Sequence, residues 1–310
     1  MKTVIPPVDK TLLEAELTPE KFVRKTNNGN NLIYIFDYRD SPNLMRELGR
    51  LREITFKDSG GGTGNEIDID EFDLGDKPFR QLIVWNPEEK EIVGGYRFAQ
   101  GRNFQFDKNG EVLSPTAELF KFSPKFIKEY LPWSIELGRS FVQPNYQPQF
   151  NFRKGMYSLD NLWDGLGAIV IDNPGNKYLF GKVTMYPQYD HFARDLVLYF
   201  LQRFFPDPDQ LLVPIESLPI RHDKNYLESI FTGSTYEENY KILVQKVRAQ
   251  NENVPPLVNA YMSLSSTMKT FGTALNRGFG DVEETGIIVT ISDIYVFKID
   301  RHIATYKREE

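Results

Sequence analysis

Two side chains of opposite charge stand three residues apart in the stretch 133–146, WSIELGRSFVQPNY: Glu136 and Arg139. A carboxylate of this kind can act as a general base, and a guanidinium near it can hold an anion or orient the carboxylate. Trp133, Ile135, Leu137 and Phe141 are strand formers, and Pro144 with Asn145 ends the run. Residues three apart in a regular strand face opposite sides. Gly138 lies between the pair, however, and a glycine inside a strand pattern marks a bulge that shifts the parity by one. The spacing predicts both charges on one face, either as an ion pair on an edge strand or in a cleft where the sheet opens.

Other charges could join them. Arg52 lies with Met45 and Phe56 beside an apolar helical stripe, where a lone arginine is expected to snorkel to solvent. Arg97 alternates in phase with Val93 and Gly95, which leaves a charge on a face of otherwise small residues. Between them runs DSGGGTGNEIDIDEFD, Asp58 to Asp73, expected to be a mobile loop. Its glycines do not make a phosphate loop, because no GK[ST] follows and no strand directly precedes them. Asp68, Asp70, Glu71 and Asp73 could ligate a hard cation, but EF-hand spacing is missing and a solvated acidic loop is the commoner meaning.

Composition narrows the chemistry further. The sequence has no cysteine, so thiol nucleophiles, thiolate metal sites and disulfides are all excluded. Its three histidines, His191, His222 and His302, are scattered without metal-ligand spacing, and no metal site is expected. A net charge of −6 argues against nucleic acid as a partner. The 310 residues, 40% hydrophobic, suffice for one large domain. No run approaches the roughly 18 apolar residues of a spanning helix, and the start, MKTVIPPVDK, lacks the features of a signal peptide, so a cytoplasmic protein is expected.

The elements that must carry these residues can be read in order. Residues 1–30 form an arm with one short helix after Thr18, and Asn31 to Tyr38 is the first strand. Ser41 and Pro42 open a helix running to about Lys57 on a stripe of Leu44, Leu48, Leu51 and Ile54. Phe79 to Asn86 and Glu91 to Gln100 form a hairpin; Phe104 to Leu113 form another around DKNG. A helix is expected from Thr116 to Tyr130, then the 133–146 strand, a helix from about Ser158 to Ile171, a strand from Tyr178 to Met185, and a helix from Tyr189 to Phe205. Residues 206–253 read as a helical insertion or cap with two helices. Pro255 to Ser265 is helical, and Met268 to Leu275 and Gly286 to Ser292 are closing strands. This order predicts a mixed α/β fold with helices on both faces of the sheet. It lacks the strict alternation and GxGxxG of a doubly wound nucleotide fold.

In that order, Arg52 with Phe56, Asp70 and Asp73 in DEFD, Arg97 in GGYRF, and Glu136 with Gly138 and Arg139 in ELGR resemble the pattern shared by acyl-homoserine lactone synthases and ornithine-lipid or glycine-lipid type N-acyltransferases. Both belong to the GNAT superfamily. WDGLGAIV with Trp163, YLFGKVTM, YDHFARDLVLYFL, VPPLVNAYMSL and GFGD are more similar to the aminolipid branch, whose members often carry a hemolysin-like label. The likeness covers about residues 31–205 and 254–296. It implies a GNAT-type acyltransferase fold over 31–310: a mostly antiparallel twisted sheet, splayed at a bulged central strand. Gly138 stands where lactone synthases usually carry serine, which sets lactone formation apart from acyl transfer. The Q/RxxGxG/A loop that cradles coenzyme A pyrophosphate in acetyltransferases of this fold is missing; the chain reads QPNYQPQFNFRKGMY after the strand. A donor without a nucleotide diphosphate matches better.

The resemblance therefore implies an N-acyltransferase that moves a long-chain, 3-hydroxy or plain fatty acyl group from an acyl carrier protein thioester to the amine of an amino acid, in aminolipid synthesis. It needs no bound cofactor: acyl carrier protein is a co-substrate, with acyl-CoA as the other donor. Glu136 is the candidate base, directly or through water, with Arg139 and Gly138 beside it and backbone amides at the bulge for the oxyanion. Arg52, Phe56, Asp70, Asp73, Arg97 and Trp163 contact or position substrate. Phe98, Phe120, Phe122, Trp163 and Phe180 are expected to line a long apolar tunnel. Lys121, Lys125 and Lys128 before the strand, and Arg153 and Lys154 after it, are expected to dock the acidic carrier. Peripheral contact with the inner membrane goes with a lipid product. Two other classes compete. An acetyl-CoA-dependent small-molecule N-acetyltransferase is disfavoured by the missing pyrophosphate loop. A non-catalytic, hemolysin-like membrane-active protein is disfavoured because no strongly amphipathic cationic segment is present.

Overall fold

The 133–146 stretch becomes the fifth strand of an eight-stranded sheet in a computed structural model that describes residues 2–307. In chain order the strands are β1 (Phe22–Lys25), β2 (Leu32–Phe36), β3 (Arg80–Asn86), β4 (Glu91–Gln100), β5 (Ser134–Val142), β6 (Tyr178–Met185), β7 (Lys269–Asn276) and β8 (Val282–Thr290). They lie in the order β1-β2-β3-β4-β5-β6-β8-β7. All neighbours are antiparallel except β5 and β6, which run parallel. A parallel pair needs a crossover. Here it contains helix α2 (Ser158–Asp172).

One face of the sheet carries helix α1 (Pro42–Asp58), introduced by Ser41 and Pro42 as the sequence predicts. Leu44, Leu48 and Leu51 are buried against Ile83, Phe141 and Val282, each such leucine worth about 1.5–3 kcal/mol. The other face carries α2 and helix α3 (His191–Phe204). Beyond α3 pack the two helices expected in the 206–253 cap, Lys224–Ile230 and helix α4 (Tyr236–Arg248).

Three local expectations are corrected. Residues 1–30 are more than a packed arm, because Phe22–Lys25 pairs with β2 and forms an edge of the sheet. The segment 116–130 is not one helix. Phe120–Phe122 is a short strand paired with Leu212–Pro214, and a single turn over Phe126–Tyr130 follows. The alternation of buried Phe120, exposed Lys121 and buried Phe122 has the period of a strand, and tertiary pairing overrides the helical reading. The glycine-rich loop is not free: Glu53 accepts hydrogen bonds from the amides of Thr63 (3.0 Å) and Gly64 (2.8 Å), and Asp68 N–H donates to Gly49 O (2.9 Å).

The two ends of the chain meet on α2. Asn27 donates from its side chain and its amide to Asp164 at 2.7 and 2.8 Å, and His302 Nδ1 lies 2.8 Å from the same carboxylate. Gly167 is needed there, since a Cβ would stand 2.2 Å from the His302 carbonyl oxygen.

Candidate active site

Between Gly95 and Arg97 on β4 there is one residue, while between their partners Phe141 and Gly138 on β5 there are two. This is the expected bulge, with one difference. The residue in the left-handed region is Arg139, at φ 49°, not Gly138. A non-glycine residue costs about 1–2 kcal/mol there, so the surroundings must hold it. They do: the Arg139 guanidinium lies 4.3 Å from the centroid of the Phe279 ring, and its Nε is 2.7 Å from Asp68 Oδ2.

At the same level the sheet divides. Pairing of β5 with β6 runs only from Ser134–Tyr178 to Leu137–Gly181. Gly181 allows that last close approach, since a Cβ would sit 2.3 Å from Leu137 O. Beyond it the two strands part, and the β6-facing backbone edge of β5 is open from Gly138 onward.

An ionic network covers the α1 side of this opening. Arg97 Nη1 donates to both oxygens of Asp70 (2.6 and 2.7 Å) and reaches Asp73 at 3.2 Å. Arg52 bonds Asp73 (3.2 Å) and Gln81 Oε1 (2.5 Å). Asp70 and Asp73 also form a capping box on the short helix Glu71–Leu74, so the acidic cluster is at once a helix start and a counter-charge. Arg52 does not snorkel. It is fully buried, because two acceptors inside the protein replace its water. Burial alone would raise the Asp73 carboxyl, but Arg52 and Arg97 outweigh it and hold it at about 2. Among the described residues no cluster fits a metal ion, and Asp68, Asp70 and Asp73 of the acidic loop each face an arginine.

Glu136 occupies the floor of the opening and is almost fully buried. Its Oε1 accepts from the Thr116 amide (2.9 Å) and hydroxyl (2.6 Å). The expected Glu136–Arg139 pair is not formed: the left-handed turn at Arg139 sends its guanidinium to Asp68 and Asp70 instead. Burial raises the Glu136 carboxyl above its ordinary value, opposed by the Thr116 hydrogen bond and by Lys182. Lys182, which sequence reasoning missed, donates to Pro115 O (2.5 Å) and pairs with Glu284 Oε2 (3.0 Å). Burial would raise Glu284 too, yet Lys182 and Asn276 bring it below its ordinary value. The signal for Lys182 was its place two residues after Phe180, the β6 partner of Glu136. Strand alternation puts both on the same face.

The remaining predicted residues divide. Phe56 stacks edge-on to Phe279 (5.1 Å) and Phe141 (6.4 Å), next to Arg139. Trp163 is on the opposite face of the sheet, against Tyr261 and beside an apolar cavity of only about 20 Å³, so it is not brought to the opening. Phe98, Phe120, Phe122 and Phe180 are buried in close-packed clusters rather than lining a long tunnel. A cleft of about 250 Å³ is bordered by Phe120, Phe122, Ala117, Lys121 and Ile215. Lys121, Lys125, Lys128, Arg153 and Lys154 are all exposed, with Lys125 paired to Asp209 (2.9 Å) and Lys154 to Glu89 (2.7 Å).

Comparison with known proteins adds three findings. Residues 51–153, which hold the whole ionic network and Glu136, match the acetyltransferase (GNAT) domain family. The chain is 52% identical over 309 residues to a glycine N(alpha)-acyltransferase of Phocaeicola vulgatus, covering 100% of this chain and 95% of that one. It is also 52% identical over 306 residues to a glycine N(alpha)-acyltransferase of Bacteroides thetaiotaomicron, covering 99% and 91%. Among solved structures, the acyl-homoserine lactone synthase LasI aligns at 12% identity and a TM-score of 0.42, over 91% of this chain and 100% of that one. The CoA-dependent acyl-homoserine lactone synthase BjaI, with SAM and isopentyl-CoA, aligns at 12% and 0.40, over 87% and 86%.

Proposed function

From the premise that this chain belongs to the same GNAT-type N-acyltransferase family as those two proteins, we propose that it transfers a long-chain fatty acyl group, plain or 3-hydroxylated, from an acyl carrier protein thioester to the amine of glycine in aminolipid synthesis. The observation that carries this reading is the position of Glu136. A buried carboxylate with a raised pKa lies on the floor of the opening where β5 and β6 part. That is where a thioester arm entering between the strands would present its carbonyl.

In this reading the amine nitrogen attacks the thioester carbon, a C–N bond forms and the C–S bond breaks. Glu136 takes the proton that the attacking amine loses, directly or through water, and returns it to the departing sulfur, so that the free thiol remains on the carrier. Amides of β5 from Gly138 to Phe141 stabilise the oxyanion. Arg52, Arg97, Asp70 and Asp73, with Phe56 behind them, position the acceptor side of the opening. Arg139 belongs to this acceptor side rather than to a pair with Glu136. Lys121, Lys125, Lys128, Arg153 and Lys154 dock the acidic carrier, and the lipid product places the enzyme at the inner membrane's surface. No helix among the described residues is long and apolar enough to cross a membrane.

The close packing of Phe120, Phe122 and Phe180 favours a second reading, a short acyl group delivered by coenzyme A. One experiment separates the two. The purified chain is incubated with glycine and, in parallel, long-chain acyl carrier protein, long-chain acyl-CoA and acetyl-CoA, and products are weighed by mass spectrometry. N-acylglycine from the carrier at the highest kcat/KM is expected. Acetylglycine as the main product would replace the first reading by the second.

A further inference from the structure

The three arginines of the network are not equivalent. Arg52 and Arg97 have side chains 0% and 2% exposed; Arg52 Nη1 and Nη2 are on Asp73 and Gln81, Arg97 Nη1 is on Asp70 and Asp73, and the Nε of each is buried where no ligand can reach it. Arg139 is 16% exposed. Its Nε faces Asp68, and its Nη2 has only a distant contact with Asp70 at 3.5 Å, because Arg97 already holds both oxygens of that carboxylate. Its Nη1 has no hydrogen-bond partner among the described residues. The other cation of the opening, Lys182, is committed to Glu284 and the Pro115 carbonyl.

Arg139 thus has an Nη1 without a partner beside an Nη2 engaged only by the 3.5 Å contact with Asp70, and it is held rigidly. Phe279 lies under its plane, Asp68 fixes one side, and the backbone is held in a left-handed conformation that only surrounding structure can maintain. A planar edge of two N–H donors fits one ligand group best, a carboxylate bound bidentately. Three arginines against Asp68, Asp70 and Asp73 make the network neutral before any ligand arrives, so an added anion meets no net repulsion. The residue is also at the bulge, two positions past the last β5–β6 pair, level with the amides offered to the oxyanion.

We propose that Arg139 binds the carboxylate of the amino-acid acceptor and so makes the enzyme select α-amino acids over simple amines. This rests on the amine-acceptor reading above and adds to it the group that recognises the acceptor. With the carboxylate on Arg139, the α-amine one carbon away is turned toward the β5 edge, where the thioester carbonyl lies.

The test compares glycine with glycinamide and ethylamine, which keep the amine and lack the carboxylate, using one acyl donor. The wild-type chain is expected to prefer glycine in kcat/KM by on the order of 10²-fold. Arg139→Gln should bring that ratio close to one, mainly through KM for glycine, and Arg139→Lys, which keeps the charge and loses the fork, should fall between. Acylation of none of the three amines by the wild type would remove the acyltransfer reading itself. Acylation of all three with equal kcat/KM would overturn the Arg139 proposal alone, and needs no variant to fold. A wild-type preference that survives in Arg139→Gln would overturn it as well, by locating the selection elsewhere.

Discussion

Glu136 and Arg139 are neighbours in sequence whose side chains serve different ends of one cleft. Glu136→Gln keeps an oxygen for Thr116 and removes the base, so the variant should fold normally and lose about 10² to 10⁴ in kcat; wild-type turnover would eliminate Glu136 from that role. Asp73 gives a second test, in stability. Its folded pKa of about 2 lies below the ordinary aspartate value of 3.8, so the stabilisation it brings is complete above about pH 4 and is lost as pH falls toward 2. The loss is on the order of 2 kcal/mol, read as a falling urea midpoint, and Asp73→Asn should flatten that slope. At this scale the sequence identified the participants and not their pairing. The distance of two or three residues between Asp68, Asp70 and Asp73 says nothing about which arginine each meets, and Arg52 seemed bound for solvent because its acceptors come from other elements, Asp73 in the acidic loop and Gln81 in β3.

Elements were more legible where local signals agreed. Ser41, Pro42 and the leucine stripe defined α1, and the glycine in β5 announced a bulge, although the strained position fell on the next residue. Legibility failed where pairing partners are far apart in sequence: Phe120–Phe122 becomes a strand only against Leu212–Pro214, and Phe22–Lys25 only against β2. The two glycines of the opening should answer differently to substitution. A Cβ at Gly181 would stand 2.3 Å from Leu137 O, backbone that cannot yield without moving β6 off β5. Gly181→Ala should lower the melting temperature by several degrees, about 1–3 kcal/mol as for other overpacked sites. At Gly138 the nearest atom would be Arg97 Nε at 3.4 Å, an ordinary contact. Gly138→Ser should therefore unfold within about 1 kcal/mol of wild type. Equal losses at both sites would mean that the divergence of the strands does not depend on that one close approach.

Across the whole molecule, with a net charge of −6, Lys121, Lys125, Lys128, Arg153 and Lys154 are exposed, while Lys125 and Lys154 meet the carboxylates of Asp209 and Glu89. Composition gave the total and could not give that distribution, since it depends on which charges find partners. The chain's two ends supply the last test. Ending the chain at residue 298 removes His302 from the buried Asp164 carboxylate, and should cost about 1–3 kcal/mol in thermal unfolding while leaving the eight-stranded order intact. The same junction has a consequence in time. Arg24 donates to the carbonyl of His302 across 278 positions of sequence, and Asn27 shares Asp164 with His302. A chain made from its N-terminus cannot close this contact until 278 further residues have followed Arg24. The edge strand β1 and helix α2 must wait over that span without this fastening, and the nascent protein is expected to need protection of that edge until the segment around His302 docks.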